Sequence, residues 1–173
     1  METPDAMSLM HELIAKQEIY EVVCRYSRGI DRLDMELVRD CYHPDAIDHH
    51  SGFTGGVDEF LIWAADSLRK MDGTMHTICN QLVELHGDVA LAETYAHTSH
   101  WTRRPTAPSQ NAVTGTRYID RFEKRDGVWR IAERWATRSW IRTEQDGVQI
   151  AEDASAGPVG RRDRLDPLYL GLG

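Results

Sequence analysis

The chain is poor in cysteine and in positive charge and has no long apolar run, and each shortage removes a class of protein. Cys24, Cys41 and Cys79 are its only cysteines. With an odd number and no close pair, a disulfide framework is excluded, and the thiols are expected to serve as small core residues in a reducing cytoplasm. Lysine and arginine number 20 against 28 acidic residues, a formal charge of −8. That balance argues against nucleic acid, whose phosphates need a positive surface; the one basic cluster, Arg161-Arg162-Asp163-Arg164, is interrupted by an acid. No apolar stretch approaches the ~20 residues of a membrane span. Met1-Glu2-Thr3-Pro4-Asp5 lacks the basic and apolar regions of a signal peptide, so a cytoplasmic location without a membrane partner is expected. A phosphate-binding glycine loop, a serine nucleophile elbow and a dinucleotide fingerprint are all missing: Gly52, Gly55 and Gly56 precede a helical pattern with no Lys-Ser/Thr after them. No cofactor is expected.

What is present is a globular composition, 41% apolar and 28% charged over 173 residues, enough for one domain. Residues 8–31 place Leu9, Leu13, Ile19, Val23, Tyr26 and Ile30 at helical spacing, with Ser8 in position to cap. Asp34 is the expected cap of a short second helix holding Leu37, Val38 and Cys41, ended before Pro44. A short strand is expected over 46–53, and Phe60, Trp63, Ala64 and Leu68 form one face of a third helix. The period then changes. Strand-like stretches 74–85 and 89–103 flank His86-Gly87-Asp88, and 112–125 and 128–142 flank Asp126-Gly127, a strong hairpin signal. Pro105 and Pro108 make Arg104 to Gln110 a loop. Helices followed by long antiparallel strands predict an α+β fold, helices covering one face of a curved sheet over residues 8–143. The tail, 144–173, has little core-forming pattern and is expected to wrap the domain or reach a neighbouring subunit.

Eight histidines carry the chemistry the sequence offers. His11 and His86 fall on an exposed helix face and a turn. His43, Asp45, Asp48, His49 and His50 form a dense group, and Asp48 and His50, two apart on a strand, point to one face as metal ligands would. No HExxH or comparable spacing completes a metal site, and none is expected. Asp31 ends a long amphipathic helix, where the helix dipole disfavours a carboxylate. It is either a surface acid flanked by Arg28 and Arg32 or a group held by a specific donor, for which a histidine N–H is suited. His76 opens the first long strand, as a core residue or a catalyst.

Four stretches, in order, carry a resemblance over about residues 10–142. They are Arg25-Tyr26-Ser27-Arg28-Gly29-Ile30-Asp31, Tyr42-His43-Pro44-Asp45-Ala46, Met75-His76-Thr77, and Arg117 through Ile131 with its Asp126-Gly127-Val128-Trp129 turn. The sequence resembles the SnoaL-like branch of the nuclear-transport-factor-2-like superfamily. The resemblance implies a cone-shaped barrel, a strongly bent antiparallel sheet closed by about three N-terminal helices around an apolar pocket. Family enzymes such as scytalone dehydratase, bile-acid 7α-dehydratase and hexachlorocyclohexane dehydrochlorinase work without cofactor through an Asp–His pair, which maps onto Asp31 and His76. The bile-acid enzyme's tyrosine corresponds to Tyr26 and the dehydrochlorinase's arginine to Arg134. The second histidine of scytalone dehydratase corresponds to His100 or, one register away, to His97.

These residues would make a cofactor-independent lyase, a dehydratase first, acting on a hydrophobic cyclic or aromatic molecule. His76 would be the base, Asp31 its orienter and Tyr26 an auxiliary acid, although five residues on an ideal helix are about 140° apart and Tyr26 has an ordinary core reading. Arg134, at the parity of Ala132 and Ala136, either anchors an oxygen-rich substrate group or pairs with Glu133 or another acid at the rim. Trp63, Trp101 and Trp140 supply aromatic area, mostly core, while Tyr118 is the candidate to face the cavity; Asp48, His50 and His100 complete the expected substrate contacts. Carbon–carbon cleavage releasing formaldehyde, double-bond isomerisation, and a non-catalytic ligand-binding or oligomerisation domain are the alternatives. In this family the back of the sheet is usually covered by another subunit, so a homotrimer or homodimer is expected.

Overall fold

The computed structural model describes residues 5–103, 111–143 and 160–170. The expected loop from Arg104 to Gln110 and the first half of the tail lie outside the described residues. Helix α1 runs Ala6–Arg32, α2 Met35–Arg39 and α3 Val57–Leu68. The strands are β1 Tyr42–His50, β2 Phe53–Gly56, β3 Gly73–His86, β4 Val89–Trp101, β5 Ala112–Arg125 and β6 Val128–Thr143, and a short α4, Pro167–Leu170, follows.

Local chemistry sets most boundaries. The α1 cap is Asp5, not Ser8: its carboxylate takes the Ser8 backbone N–H at 2.7 Å, which starts the helix three residues earlier than expected. Leu9 and Leu13 are on the exposed N-terminal part of α1, 46% and 69% accessible, and the buried stripe begins at Ile19. Leu33 closes α1 in the left-handed region, φ 57°, and Asp34 N–H reaches back to Gly29 O at 2.9 Å. Asp34 then caps α2 through Leu37 N–H, as expected. The two helices touch at Gly29, where an added Cβ would stand 2.6 Å from Val38 Cγ2. Both long hairpins turn where expected, with φ of 64° at Gly87 and of 51° and 78° at Asp126 and Gly127.

The six strands form one sheet in the order β2-β1-β6-β5-β4-β3. Two features differ from the expected antiparallel barrel. The junction of β1 with β6 is parallel, β1 lying between its antiparallel hairpin partner β2 and the last strand. The outer strands β2 and β3 do not pair, so the sheet is curved but open. Register shifts from extra residues in β3 and β6 supply curvature. The expected strand 46–53 is in fact the end of β1, which begins at Tyr42, and the start of β2, divided by a turn at Ser51-Gly52 with Gly52 at φ 83°. Pro44 fits there since the pairing with β6 shifts register between Tyr42 and Ile47, a place that needs no ladder N–H.

The inner face carries Ala90, Ala92, Thr94, Ala96 and Thr98 of β4, Tyr118, Asp120 and Phe122 of β5, and Ile131 and Arg134 of β6, all buried. The small residues of β4 let the helices approach. Against this face lie Ile19, Val22, Val23, Tyr26 and Ile30 of α1 and Phe60, Leu61, Ala64 and Leu68 of α3. The outer face leaves Leu82, Leu91 and Tyr95 exposed. Of the three cysteines only Cys41 is a buried core thiol; Cys79 is exposed. Trp140, also expected mostly in the core, is 45% accessible.

Candidate active site

Asp31 occupies the last turn of α1, where the peptide dipoles oppose its charge. Three donors outweigh that. Oδ1 accepts from Thr74 Oγ1 at 3.1 Å and lies 2.6 Å from His76 Nδ1, while Oδ2 accepts the His76 backbone N–H at 2.9 Å. Both side chains are largely buried, 17% and 7% exposed, so these charge-assisted bonds lie out of bulk water. An ionised Asp31 fixes the proton on Nδ1 and leaves the Nε2 lone pair free; no described residue bonds Nε2.

Arg162, from the described part of the tail, reaches under this pair. Its Nε donates to Asp31 O at 3.1 Å, Nη1 to Leu68 O and Met71 O at 3.2 and 3.0 Å, and Nη2 to Thr74 Oγ1 at 3.1 Å. Asp31 O is a carbonyl of the last turn of α1; Leu68 O, at the end of α3, also accepts the Met71 N–H at 3.2 Å, and Met71 lies just past that helix. Burial lowers the Arg162 pKa and Asp31 counters it.

His76 opens onto a cavity of about 480 Å³, its mouth included, between α1, α3 and the inner sheet face. Ile30, Phe60, Trp63, Ala64, Leu68 and Met71 make its wall apolar; Tyr26, His50, Ser67, His76 and His100 supply the polar points. That mixture, mostly apolar with few convergent polar groups, is typical of small-molecule sites. His100, not His97, faces the cavity; His97 is exposed on the other side of β4. Burial, and then the neighbouring His76 ring 6.0 Å away, push the His100 pKa down to about 4. It is therefore neutral at pH 7.

Helix α1 continues to Arg32, so Tyr26 and Asp31 do not converge on one face; Tyr26 lines the cavity, while Asp31 stands behind His76 and does not. Burial, with the neighbouring Tyr118, holds the Tyr26 phenol well above its usual pKa, and it stays protonated.

Three expected contacts are displaced. Arg134 does not line the cavity. It is fully buried and bonded to Asp120 through Nε–Oδ1 and Nη2–Oδ2, both 2.7 Å, with its guanidinium 4.1 Å from the Tyr26 ring centre and 4.3 Å from that of Tyr118. Its acid is thus the cross-strand neighbour in the sheet, not a rim residue. Tyr118 does not line the cavity either, because it is spent on this guanidinium. Asp48, fully buried, sits behind the wall: Oδ2 accepts from Tyr42 O–H at 2.6 Å and Oδ1 is bonded to His50 Nδ1. Only His50 of that pair reaches the cavity.

The rest of the dense β1 group disperses. His43 Nε2 bonds Glu123 O at 2.9 Å, His49 stacks on Trp135, and Asp45 pairs with Arg125 at 2.6 Å. No group of three metal-ligating side chains converges among the described residues. No described helix is long and apolar enough to cross a membrane.

Sequence reasoning missed Asp120, Ser67, Met71 and Arg162. Asp120 had a signal, since it shares strand parity with Tyr118 and Phe122. Arg162 had none, as nothing local ties residue 162 to residue 31.

Known structures share this architecture. The chain superimposes on the hexachlorocyclohexane dehydrochlorinase LinA-type3 from Novosphingobium barchaimii with a TM-score of 0.71 at 15% identity, over 83% of this chain and 99% of that one. For a putative scytalone dehydratase from Novosphingobium aromaticivorans the values are 0.68 and 17%, over 82% and 97%. For a Mycobacterium tuberculosis protein of unknown function they are 0.66 and 24%, over 78% of each chain. At such identities the likeness is one of fold. A comparison with curated proteins finds no match. The model of the SnoaL-like domain matches residues 11–135, most of the chain, including most of α1 and all but the end of the sheet. By that match the chain belongs to the SnoaL-like domain family.

Proposed function

We propose that the protein is a cofactor-independent lyase of the dehydratase type, acting on a hydrophobic cyclic or aromatic molecule small enough for the apolar cavity. The observation that carries this is the 2.6 Å contact of Asp31 with His76 Nδ1, with Nε2 left to the cavity. A neutral imidazole so oriented is a general base, and the adjacent carboxylate stabilises the imidazolium that forms. His76 removes a proton from a carbon acidified by a carbonyl or conjugated ring; the electron pair then expels a leaving group from the neighbouring carbon. Tyr26, holding its proton, donates a hydrogen bond to the developing enolate, and neutral His100 contributes a second polar contact. Phe60 and Trp63 face a flat ring across the cavity.

The test is elimination from cyclic β-hydroxyketones, read by the absorbance of the enone product. His76→Ala is expected to abolish turnover with melting behaviour retained, and Asp31→Asn to lower kcat by roughly 10²–10⁴ through loss of the oriented base. Unchanged turnover in His76→Ala would remove the proposal.

A further inference from the structure

A second histidine–carboxylate pair faces the same cavity. His50 Nδ1 is bonded to Asp48, whose other oxygen accepts from Tyr42 O–H. The ring lies flat on Phe60, centroids 5.0 Å apart, and is 19% exposed, while Asp48 is not exposed at all. No described residue bonds His50 Nε2. The arrangement repeats that of Asp31 and His76: a buried acid fixes Nδ1 and the far nitrogen is offered to the ligand.

Loss of water needs two proton transfers, one from carbon and one onto oxygen, because hydroxide is too basic to depart alone. His76 serves the first. For the second, Tyr26 is held in its phenol form by burial and His100 is held neutral. The pairing of the buried acids points to His50. Asp48 and Asp120 flank Arg134 across three adjacent strands, and the guanidinium is bonded to Asp120. Asp120 takes both bonds to the guanidinium, so the buried partner of Asp48 within the cavity wall is the His50 ring, whose Nδ1 it holds while Nε2 faces the ligand.

We propose that His50, oriented by Asp48, is a second catalytic residue that protonates the departing oxygen while His76 takes the proton from carbon, which assigns the site to substrates that lose an oxygen leaving group. The role rests on the lyase proposal above. In the step, the C–H pair moves to form the new C=C bond and its proton bonds to His76 Nε2. The C–O bond breaks with its pair on oxygen, which takes the proton of His50 Nε2 and leaves as water. His76 ends as imidazolium and His50 neutral; exchange with water at the mouth restores both.

The test compares two probes with the same acidic C–H and the same product. 3-Hydroxycyclohexanone and 3-chlorocyclohexanone both give cyclohexenone, but chloride departs without a proton. In His50→Phe, which keeps a ring on Phe60, the ratio of chloride to water elimination is expected to rise by about 10²-fold or more, the scale of one general-acid contribution. His50→Gln, which donates a hydrogen bond but no proton, is expected to show the same rise. His76→Ala should abolish elimination from both probes, because both lose the same proton from carbon. Wild-type ratios in both folded His50 variants, as judged by their melting curves, would overturn the assignment and leave the lyase proposal standing. Wild-type protein that eliminates from neither probe removes both.

Discussion

Replacing Arg134 by leucine separates a structural cation from a substrate anchor. Both Arg134 and Asp120 have side chains without solvent exposure and meet through two 2.7 Å bonds. Leucine would leave the carboxylate without a partner, in a place where burial already raises its pKa. Removing one member of a buried pair costs about 3–5 kcal/mol. The lost sandwich between Tyr26 and Tyr118 adds about 1 kcal/mol. For a chain of this length each kcal/mol is worth roughly 2–4 °C, so a fall in Tm of roughly 8–24 °C is expected in thermal unfolding followed by circular dichroism. The deficit should shrink as pH falls, because protonation of Asp120 removes the unpaired charge. The double variant Arg134→Leu, Asp120→Leu should recover most of the loss, since well-packed apolar replacements of buried pairs are near neutral. A single variant that melts like the wild type while KM rises would refute this account and return Arg134 to the substrate.

His100 gives a pH prediction. Its folded pKa of about 4 lies below the unfolded value of ~6.5, so the unfolded chain takes the proton first. Stability is then lost as pH falls from ~6.5 toward 4, by up to roughly 3 kcal/mol. His100→Gln should flatten the dependence of urea midpoints on pH between 7 and 5; an unchanged slope contradicts the burial argument. The outer face, with Leu82 63%, Leu91 46% and Tyr95 41% exposed, is proposed to be covered by another copy of the chain. Light scattering at micromolar concentration should give a trimer or dimer mass, and a monomer removes that proposal.

The fold was legible where local chemistry decides it. Asp126-Gly127 can only be a tight turn, and from it the pairing of β5 with β6 follows by counting. The counting fails beyond Phe122, where a register shift makes Asp120 the neighbour of Arg134 rather than of Glu133. A bulge of one residue carries no composition signal, and it turned an expected pocket arginine into a buried ion pair. The proximity of Asp31 and His76 was legible only through family resemblance, because helix end and strand start are joined by tertiary packing alone. That Asp48 would stand behind His50, not beside it, depended on depth from the cavity, which period-2 alternation does not encode.

The grip of Arg162 on Asp31, Leu68 and Met71 carbonyls has a consequence for how the molecule can be handled. One guanidinium brackets the terminal turns of the two helices that wall the chamber, so the bore of the chamber is fixed from a point late in the chain. A fusion partner or a shortened end placed near that arginine would therefore act on the acid of the proton relay itself, at the opposite end of the polypeptide.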